Sequence, residues 1–313
     1  QSKEIFKIDE NHKNILWINF SATSLGDSLM DLSSRVLLLD KKVDLFTNKK
    51  NASIYHNDLF FSSIFTNKEE VINLNYDLII IDSYSTRSIK IKSEVAFLVP
   101  YVGIYGYFNG PEVNRVLFSF HQINNLLGYL NSENDINNMA KNAMSISNYD
   151  ERIINSLELP KNFIAIVIGG EWAYRTYKQW DKVIEEILLI DQNLKFILLG
   201  SDNAKETEKE ILDKFTTENV QSYVSKFTFN QSAQIARQAN LMLCCDGGLM
   251  HAAHALGTAT IPLFARLQPK MQLTLSCAAF PLFDKLDVNN LLVREVILKY
   301  IEATTSDYNH PLV

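Results

Sequence analysis

Apolar, largely β-branched runs recur along this chain, each followed by a polar turn and then a longer amphipathic stretch. In the first half Ile15–Phe20, Val43–Thr47, Leu78–Asp82 and Tyr101–Tyr105 predict strands. In the second half Phe163–Ile168, Lys195–Leu199, Val220–Val224, Leu241–Cys245 and Thr260–Phe264 do the same. Their near-continuous hydrophobicity fits strands covered on both faces, and alternation with helical stretches is the pattern of parallel α/β architecture. No repeat occurs at solenoid spacing. Between the halves, Asn131–Leu159 is rich in Asn, Ser and charge and ends at Pro160, which disfavours helix at the residue before it. The pattern places a domain boundary within Ser147–Asn162, giving domains of residues 1–152 and 153–313. Leu291–Ala303 has helical apolar spacing and could cap either domain. Two open sheets of this kind, facing each other, would bring their carboxyl ends onto one cleft, where ligands bind in such sheets.

The length of 313 residues agrees with two domains, and 47% apolar with 21% charged residues is the composition of an ordinary globular protein. Thirty Lys and Arg against 36 Asp and Glu give a net charge of −6. That balance argues against a nucleic-acid partner, which calls for a basic excess, and leaves room for a local basic patch. Cys244, Cys245 and Cys277 form neither a disulfide framework nor a zinc pattern, so a reducing compartment is expected. No apolar stretch approaches the ~20 residues that span a bilayer, and the polar Gln1–Asn14 shows no signal peptide. A cytoplasmic protein is expected, with peripheral contact at the inner face of the cytoplasmic membrane left open.

Three segments carry candidate chemistry. After the first predicted strand, Ser21-Ala22-Thr23-Ser24-Leu25-Gly26-Asp27 leads into a helix beginning near Asp27. Gly26 lets backbone pass close to a ligand, and the hydroxyl residues can donate to one. Asp27 has two readings, a general base toward an attacking hydroxyl or a carboxylate capping the helix. The second segment is Asp246-Gly247-Gly248-Leu249-Met250-His251, where a buried strand runs into a small-residue helix closed by Gly257. Helix N–H groups uncovered at such a junction make a phosphate site. His251 and His254 stand three apart, but no nearby carboxylate or Cys completes a metal set, so no metal is expected. The third segment, Gly169-Gly170 to Lys178-Gln179-Trp180, precedes a helix from about Asp181 to Leu189. It would bring Arg175, Thr176 and Lys178 to the same strand ends as Gly248, where an ammonium can neutralise a diphosphate leaving group.

Taken together these segments resemble the heptosyltransferase-like glycosyltransferases of lipopolysaccharide inner-core synthesis, glycosyltransferase family 9. The resemblance rests on Gly26-Asp27, on Lys178-Gln179-Trp180 and above all on Asp246-Gly247-Gly248-Leu249-Met250-His251 with Leu256-Gly257-Thr258. It implies a GT-B fold of two Rossmann-like α/β domains about a central cleft, and an inverting transfer without a metal ion. The only small molecule it implies is a nucleotide-sugar donor, most plausibly ADP-heptose, the acceptor being a lipid-linked saccharide. By the same resemblance Asp27 is the base and Lys178, with Thr176, stabilises the diphosphate. Asp246, Gly247, Gly248, Leu249, Met250 and His251 border the phosphates, and Asp202 or Glu206 holds the ribose. Ser24 and Gly26, with the basic cluster Arg87, Lys90 and Lys92 after the strand ending at Asp82, are the acceptor candidates. Where the family commonly has Phe-Gly-Pro-Thr, this chain reads Phe264-Ala265-Arg266-Leu267-Gln268, which leaves the donor open. Another nucleotide sugar, or a protein or capsular acceptor, fits as well. A nucleotide-sugar epimerase or hydrolase and a non-catalytic nucleotide-sugar binder are the alternatives from other classes.

Overall fold

The computed structural model describes residues 3–105 and 114–305. They fall into two compact units, Gln1–Ser145 with Thr274–Ser276, and Ile146–Leu273 with Cys277–Val313. Every run predicted as a strand forms one, with ends displaced by a residue or two.

The first unit contains β1 (Asn14–Asn19), α1 (Leu25–Asp31), a 3-10 turn at Ser33–Leu38, β2 (Lys42–Thr47), α2 (Lys49–Tyr55) and β3 (Ser63–Phe65). It continues with β4 (Leu78–Ser83), α3 (Thr86–Ala96), β5 (Tyr101–Tyr105), α4 (Arg115–Leu126) and α5 (Glu133–Met139). The strands are parallel, in the order β3-β2-β1-β4-β5. Alternate residues of the central strands face opposite layers: Leu16, Ile18, Ile79 and Ile81 pack with Val95 of α3, while Ile15, Trp17 and Ile80 are buried on the other side. Ser24, Asn48, Ser85, Asn114 and Ser132 each cap their helix by accepting from a first-turn N–H, each worth about 1 kcal/mol. A buried ion pair joins Arg35 to Asp58 at 2.5 and 3.1 Å. Arg35 also donates to the carbonyls of Leu32 and Ala143 and lies 5.2–5.6 Å from the ring centroids of Tyr55, Phe60 and Phe61.

The second unit contains α6 (Asn148–Asn155), β6 (Phe163–Val167), α7 (Trp180–Ile190), β7 (Lys195–Leu199), α8 (Lys205–Leu212) and β8 (Val220–Ser222). It continues with α9 (Phe229–Gln238), β9 (Leu241–Cys245), α10 (Gly248–Leu256), β10 (Thr260–Ala265), β11 (Leu282–Asp284) and α11 (Val293–Thr305). Its strands are also parallel, in the order β11-β10-β9-β6-β7-β8. One layer packs α7 and α11 over Ile164, Ile166, Leu198 and Leu243. The other packs α6, α9 and α10 over Phe163, Ala165, Ile197 and Met242. The adjacent Cys244 and Cys245 face opposite layers. Val296 and Tyr300 of α11 lie in the same core as Trp180 and Val183, so this helix, which the sequence could assign to either domain, covers the second unit. The sequence pattern missed β3 and β11, three-residue edge strands of intermediate burial with no continuous apolar run.

In each sheet the chain leaves the first strand to one side and returns on the other. The switch falls between β1 and β4 in the first unit and between β6 and β9 in the second. Ligands of open parallel sheets bind beyond the carboxyl ends of the strands at such a switch.

Candidate active site

In the first unit the exit of β1 is fixed by Asp82 at the end of β4. Its carboxylate accepts from the N–H groups of Phe20 at 2.7 Å and Ser21 at 2.6 Å, and from the Ser88 hydroxyl at 2.5 Å. The chain then turns into α1, which starts at Leu25 rather than near Asp27. The cap is Ser24, whose Oγ accepts from the Asp27 N–H at 3.1 Å. Two expectations change as a result. Asp27 is the third residue of the helix, not its cap, and Gly26 is buried in the first turn instead of lying in a ligand-facing loop. Ser24 is already engaged with Asp27, donating to Oδ2 at 2.8 Å alongside Thr23 at 2.9 Å.

The other oxygen of Asp27 faces Arg115 Nη1 at 3.3 Å, and 25% of the Asp27 side chain is exposed. Arg115 grips Asp31 with Nε at 2.8 Å and Nη2 at 2.5 Å, its guanidinium 5.5 Å from the Tyr105 ring centroid. Asp31 is one turn beyond Asp27 and its side chain is 1% exposed. Burial pushes its carboxyl up to about 6, against the pull of Arg115. Sequence reasoning missed Asp31 and Arg115. The i, i+4 spacing of Asp27 and Asp31 was the available signal for the first, and nothing marked Arg115. A carboxylate held by two hydroxyls on one side and a cation on the other, and still open to solvent, can accept a proton from a neighbouring hydroxyl.

The basic cluster does not hold together. Arg87, Lys90 and Lys92 lie on α3, whose turn separates them. Arg87 stays near the site, donating to the Phe20 carbonyl at 3.3 Å. Lys90 is exposed and 3.9 Å from Glu94. Lys92 is 4% exposed, and its ammonium donates to the Phe97 carbonyl at the end of α3 and lies over the Tyr101 ring. Burial lowers its proton affinity. It closes a helix and is not available to an acceptor.

In the second unit the loops after β6 and β9 meet at the switch point. Arg175 bridges them, 3.2 Å from Asp246 Oδ2. Asp246 is thereby paired, 5% exposed, and holds Arg175 at this junction. Gly247 precedes α10 in extended conformation. Met250 points into the core and its N–H bonds Gly247 O at 3.1 Å, so it is a packing residue of α10. The N–H groups of Gly248 and Leu249 are left without a helical acceptor, as at any helix start. His251 is buried, 4.0 Å from Asp246. His254 is a packed histidine: Nε2 bonds Thr260 Oγ1 at 2.8 Å, and burial pushes its pKa down to about 3.

The Gly169–Lys178 loop is tightly folded. Gly169 has φ +86°, and a Cβ on Gly170 would lie 2.7 Å from Thr176 Oγ1 and 2.9 Å from Arg175 O. Thr176 Oγ1 donates to the Trp172 carbonyl at 3.0 Å. Lys178 is exposed, while its backbone is clamped by Asn289, which accepts from Lys178 N at 2.9 Å and donates to Thr176 O at 3.0 Å. Between them Tyr177 is buried and donates to Leu291 O at 3.1 Å, with Trp180 packed edge-on. Asn289 was invisible in the sequence, more than a hundred residues from the loop it holds. We expect Asn289→Ala to loosen this loop, since it removes two hydrogen bonds to it, each worth about 1 kcal/mol. Faster amide hydrogen exchange at Lys178, with the rest of the unit unchanged, checks this.

Arg266, in left-handed conformation at φ 66°, stacks its guanidinium 3.7 Å from the Tyr174 ring centroid, with Arg175 5.5 Å from the same ring. The turn after β7 joins the site through Asn203, which donates to Gly170 O at 2.8 Å. Asp202 instead pairs with Lys205 at 2.8 Å with 81% of its side chain exposed, and Glu206 is exposed in the first turn of α8. Among the described residues no group of His, Cys, Asp and Glu is arranged to hold a metal ion, and no helix is long and apolar enough to cross a membrane.

No curated protein matches the chain in sequence. Among solved structures it is similar to the ADP-heptose lipopolysaccharide heptosyltransferase II of E. coli, at 15% identity over 93% of this chain and 98% of that one, with a TM-score of 0.74. A glycosyltransferase family 9 protein from Veillonella parvula gives 13% identity over 95% and 98%, with a TM-score of 0.77. The E. coli heptosyltransferase WaaC with ADP gives 15% over 93% and 98%, with a TM-score of 0.68. At these identities the likeness is one of fold, the GT-B arrangement of two Rossmann-like units. The model of glycosyltransferase family 9 (heptosyltransferase) matches residues 110–279, which include Lys178, Asp246 and Gly248 but not Asp27. That span is more than half of the sequence, and the chain belongs to glycosyltransferase family 9.

Proposed function

We propose that this protein is an inverting, metal-independent glycosyltransferase that moves heptose from ADP-heptose to a hydroxyl of a lipopolysaccharide or lipooligosaccharide core acceptor. The observation that carries the reading is the group of cationic and N–H donors at the switch point of the second sheet: Lys178, Arg175, Arg266 and the start of α10. Departure of a nucleoside diphosphate gathers negative charge on the leaving oxygen. An ammonium at Lys178, a guanidinium at Arg266 and the N-terminus of α10 would oppose that charge. In the first unit Asp27 takes the proton of the attacking hydroxyl as the new glycosidic bond forms, and Arg87 is the remaining basic candidate toward an anionic acceptor. The acceptor is lipid-linked, and the enzyme works in the cytoplasm with peripheral contact at the inner membrane.

The experiment is calorimetric binding of ADP, UDP, GDP and CMP, followed by transfer from ADP-heptose. ADP should bind best. Lys178→Ala should lose about tenfold or more in ADP affinity, the scale of a charged hydrogen bond. UDP or GDP preference would replace the donor. Turnover of donor without any acceptor would replace the reaction class, and absence of nucleotide binding would leave the family fold without this activity.

A further inference from the structure

Two arginines flank the ring of Tyr174 at the switch point of the second sheet, and they are not equivalent. Arg175 turns toward Asp246, 3.2 Å away, and its Nε is buried with no hydrogen-bond partner. Arg266 is exposed and forms no ion pair among the described residues. It follows β10, whose Leu263 lies beside Cys245 of β9, the strand that leads into α10. Its backbone is left-handed at φ 66°, a conformation that side chains other than Asn, Asp and His seldom adopt. The side chain is then fixed in two ways. Nε donates to Leu286 O at 3.2 Å, and the guanidinium lies over the Tyr174 ring, 3.7 Å from its centroid. Tyr174 is itself stacked against Trp172. One edge of the guanidinium remains, carrying Nη1 and Nη2, which donate no hydrogen bond among the described residues.

We propose that Arg266 is the arginine that reads the diphosphate of the donor, and that Tyr174 is its positioning residue. This rests on the reading of the second unit as a nucleotide-sugar site. Two parallel N–H donors on a planar cation match two oxygens of a phosphate, which a single ammonium cannot do. An arginine on an exposed turn ordinarily loses much rotamer freedom when it takes such a ligand. Stacked on Tyr174 and tethered at Nε, Arg266 has lost most of that freedom before the ligand arrives. The left-handed backbone at this position fits the same account, since strained residues collect where a ligand is clamped. Arg175, facing Asp246, steadies the other side of the ring, 5.5 Å from its centroid. The division of labour between the two arginines makes Arg266 a determinant of diphosphate over monophosphate.

The test is calorimetric titration of the full chain with ADP, AMP, adenosine and pyrophosphate. Arg266→Gly removes the guanidinium and accepts the left-handed turn without strain. Its ADP affinity should fall about tenfold or more, the scale of a charged hydrogen bond, and its preference for ADP over AMP should shrink. Adenosine affinity should stay within about twofold and the melting temperature within about 3 °C. Arg266→Lys keeps the charge without the fork and should recover only part of the loss. Tyr174→Leu should weaken ADP binding about two- to fivefold, and Tyr174→Phe, which keeps the ring face, should restore it. Unchanged ADP affinity in Arg266→Gly overturns the proposal, as does an equal loss for ADP and adenosine. A Tyr174→Leu loss that Phe does not restore overturns the positioning role. A wild-type protein that binds pyrophosphate but not ADP defeats the nucleotide reading, while Arg266→Gly against pyrophosphate still decides the role of the arginine. Binding of neither defeats both.

Discussion

Asp27→Asn should lower kcat for sugar transfer by at least about a hundredfold, the usual worth of a positioned general base, and leave nucleotide affinity within about twofold. The substitution is nearly isosteric. The amide oxygen can still accept from Ser24 and Thr23, and the Ser24 cap on the Asp27 N–H is retained. Helix α1 loses the favourable charge in its first turn, about 0.3–1 kcal/mol, and the partly exposed ion pair with Arg115, about 0–1 kcal/mol. Stability and turnover therefore separate: a folded, nucleotide-binding, inactive variant identifies a base. Near-normal turnover in steady-state assay would leave Asp27 as a first-turn carboxylate with no role in the chemistry.

The largest stability effect is expected at Arg35, far from any proposed chemistry. Arg35→Ala leaves Asp58 as an unpaired charge at a site where the two side chains are 0% and 1% exposed, and breaking one partner of a buried pair costs about 3–5 kcal/mol. The guanidinium also supplies donors to the carbonyls of Leu32 and Ala143 and packs among the rings of Tyr55, Phe60 and Phe61. A domain has only about 5–15 kcal/mol to lose, so the first unit should unfold at much lower urea, with the second unit's transition unmoved. The double variant Arg35→Met/Asp58→Leu should recover most of the loss, because no charge is then left buried. Equilibrium unfolding followed separately in each unit measures both; an Arg35→Ala transition within about 1 kcal/mol of the wild type would contradict this account.

Most strands were legible because strands covered on both faces read as continuous apolar runs, and the ends of β7 and β9 fell where the hydrophobicity stopped. The edge strand β5 kept that signal because it is mostly buried, whereas β3 and β11 are three half-buried residues each and carry no such run. The Asp-Gly-Gly-Leu-Met-His junction was also legible, because strand, extended glycine and helix are encoded locally. The connections that hold the site together were not. Asn289 clamping Lys178, Arg175 occupying Asp246 and Arg115 shared between Asp27 and Asp31 are pairings across the fold, and no local pattern in one chain marks them. The basic cluster on α3 failed for a related reason: helical phase turned Lys92 into the protein, where its ammonium found the Phe97 carbonyl.

The two adjacent cysteines of β9 give the molecule a useful chemical simplicity. Burial pushes Cys245 up to about 12 and Cys244 well above the ordinary thiol range, and since they face opposite layers of the sheet neither has a nearby thiol to exchange with. Reactivity follows the thiolate and its access, so a maleimide at neutral pH should leave Cys244 and Cys245 of the folded protein unmodified. The arrival of adducts at these two positions would serve as a clock for opening of the second unit's core.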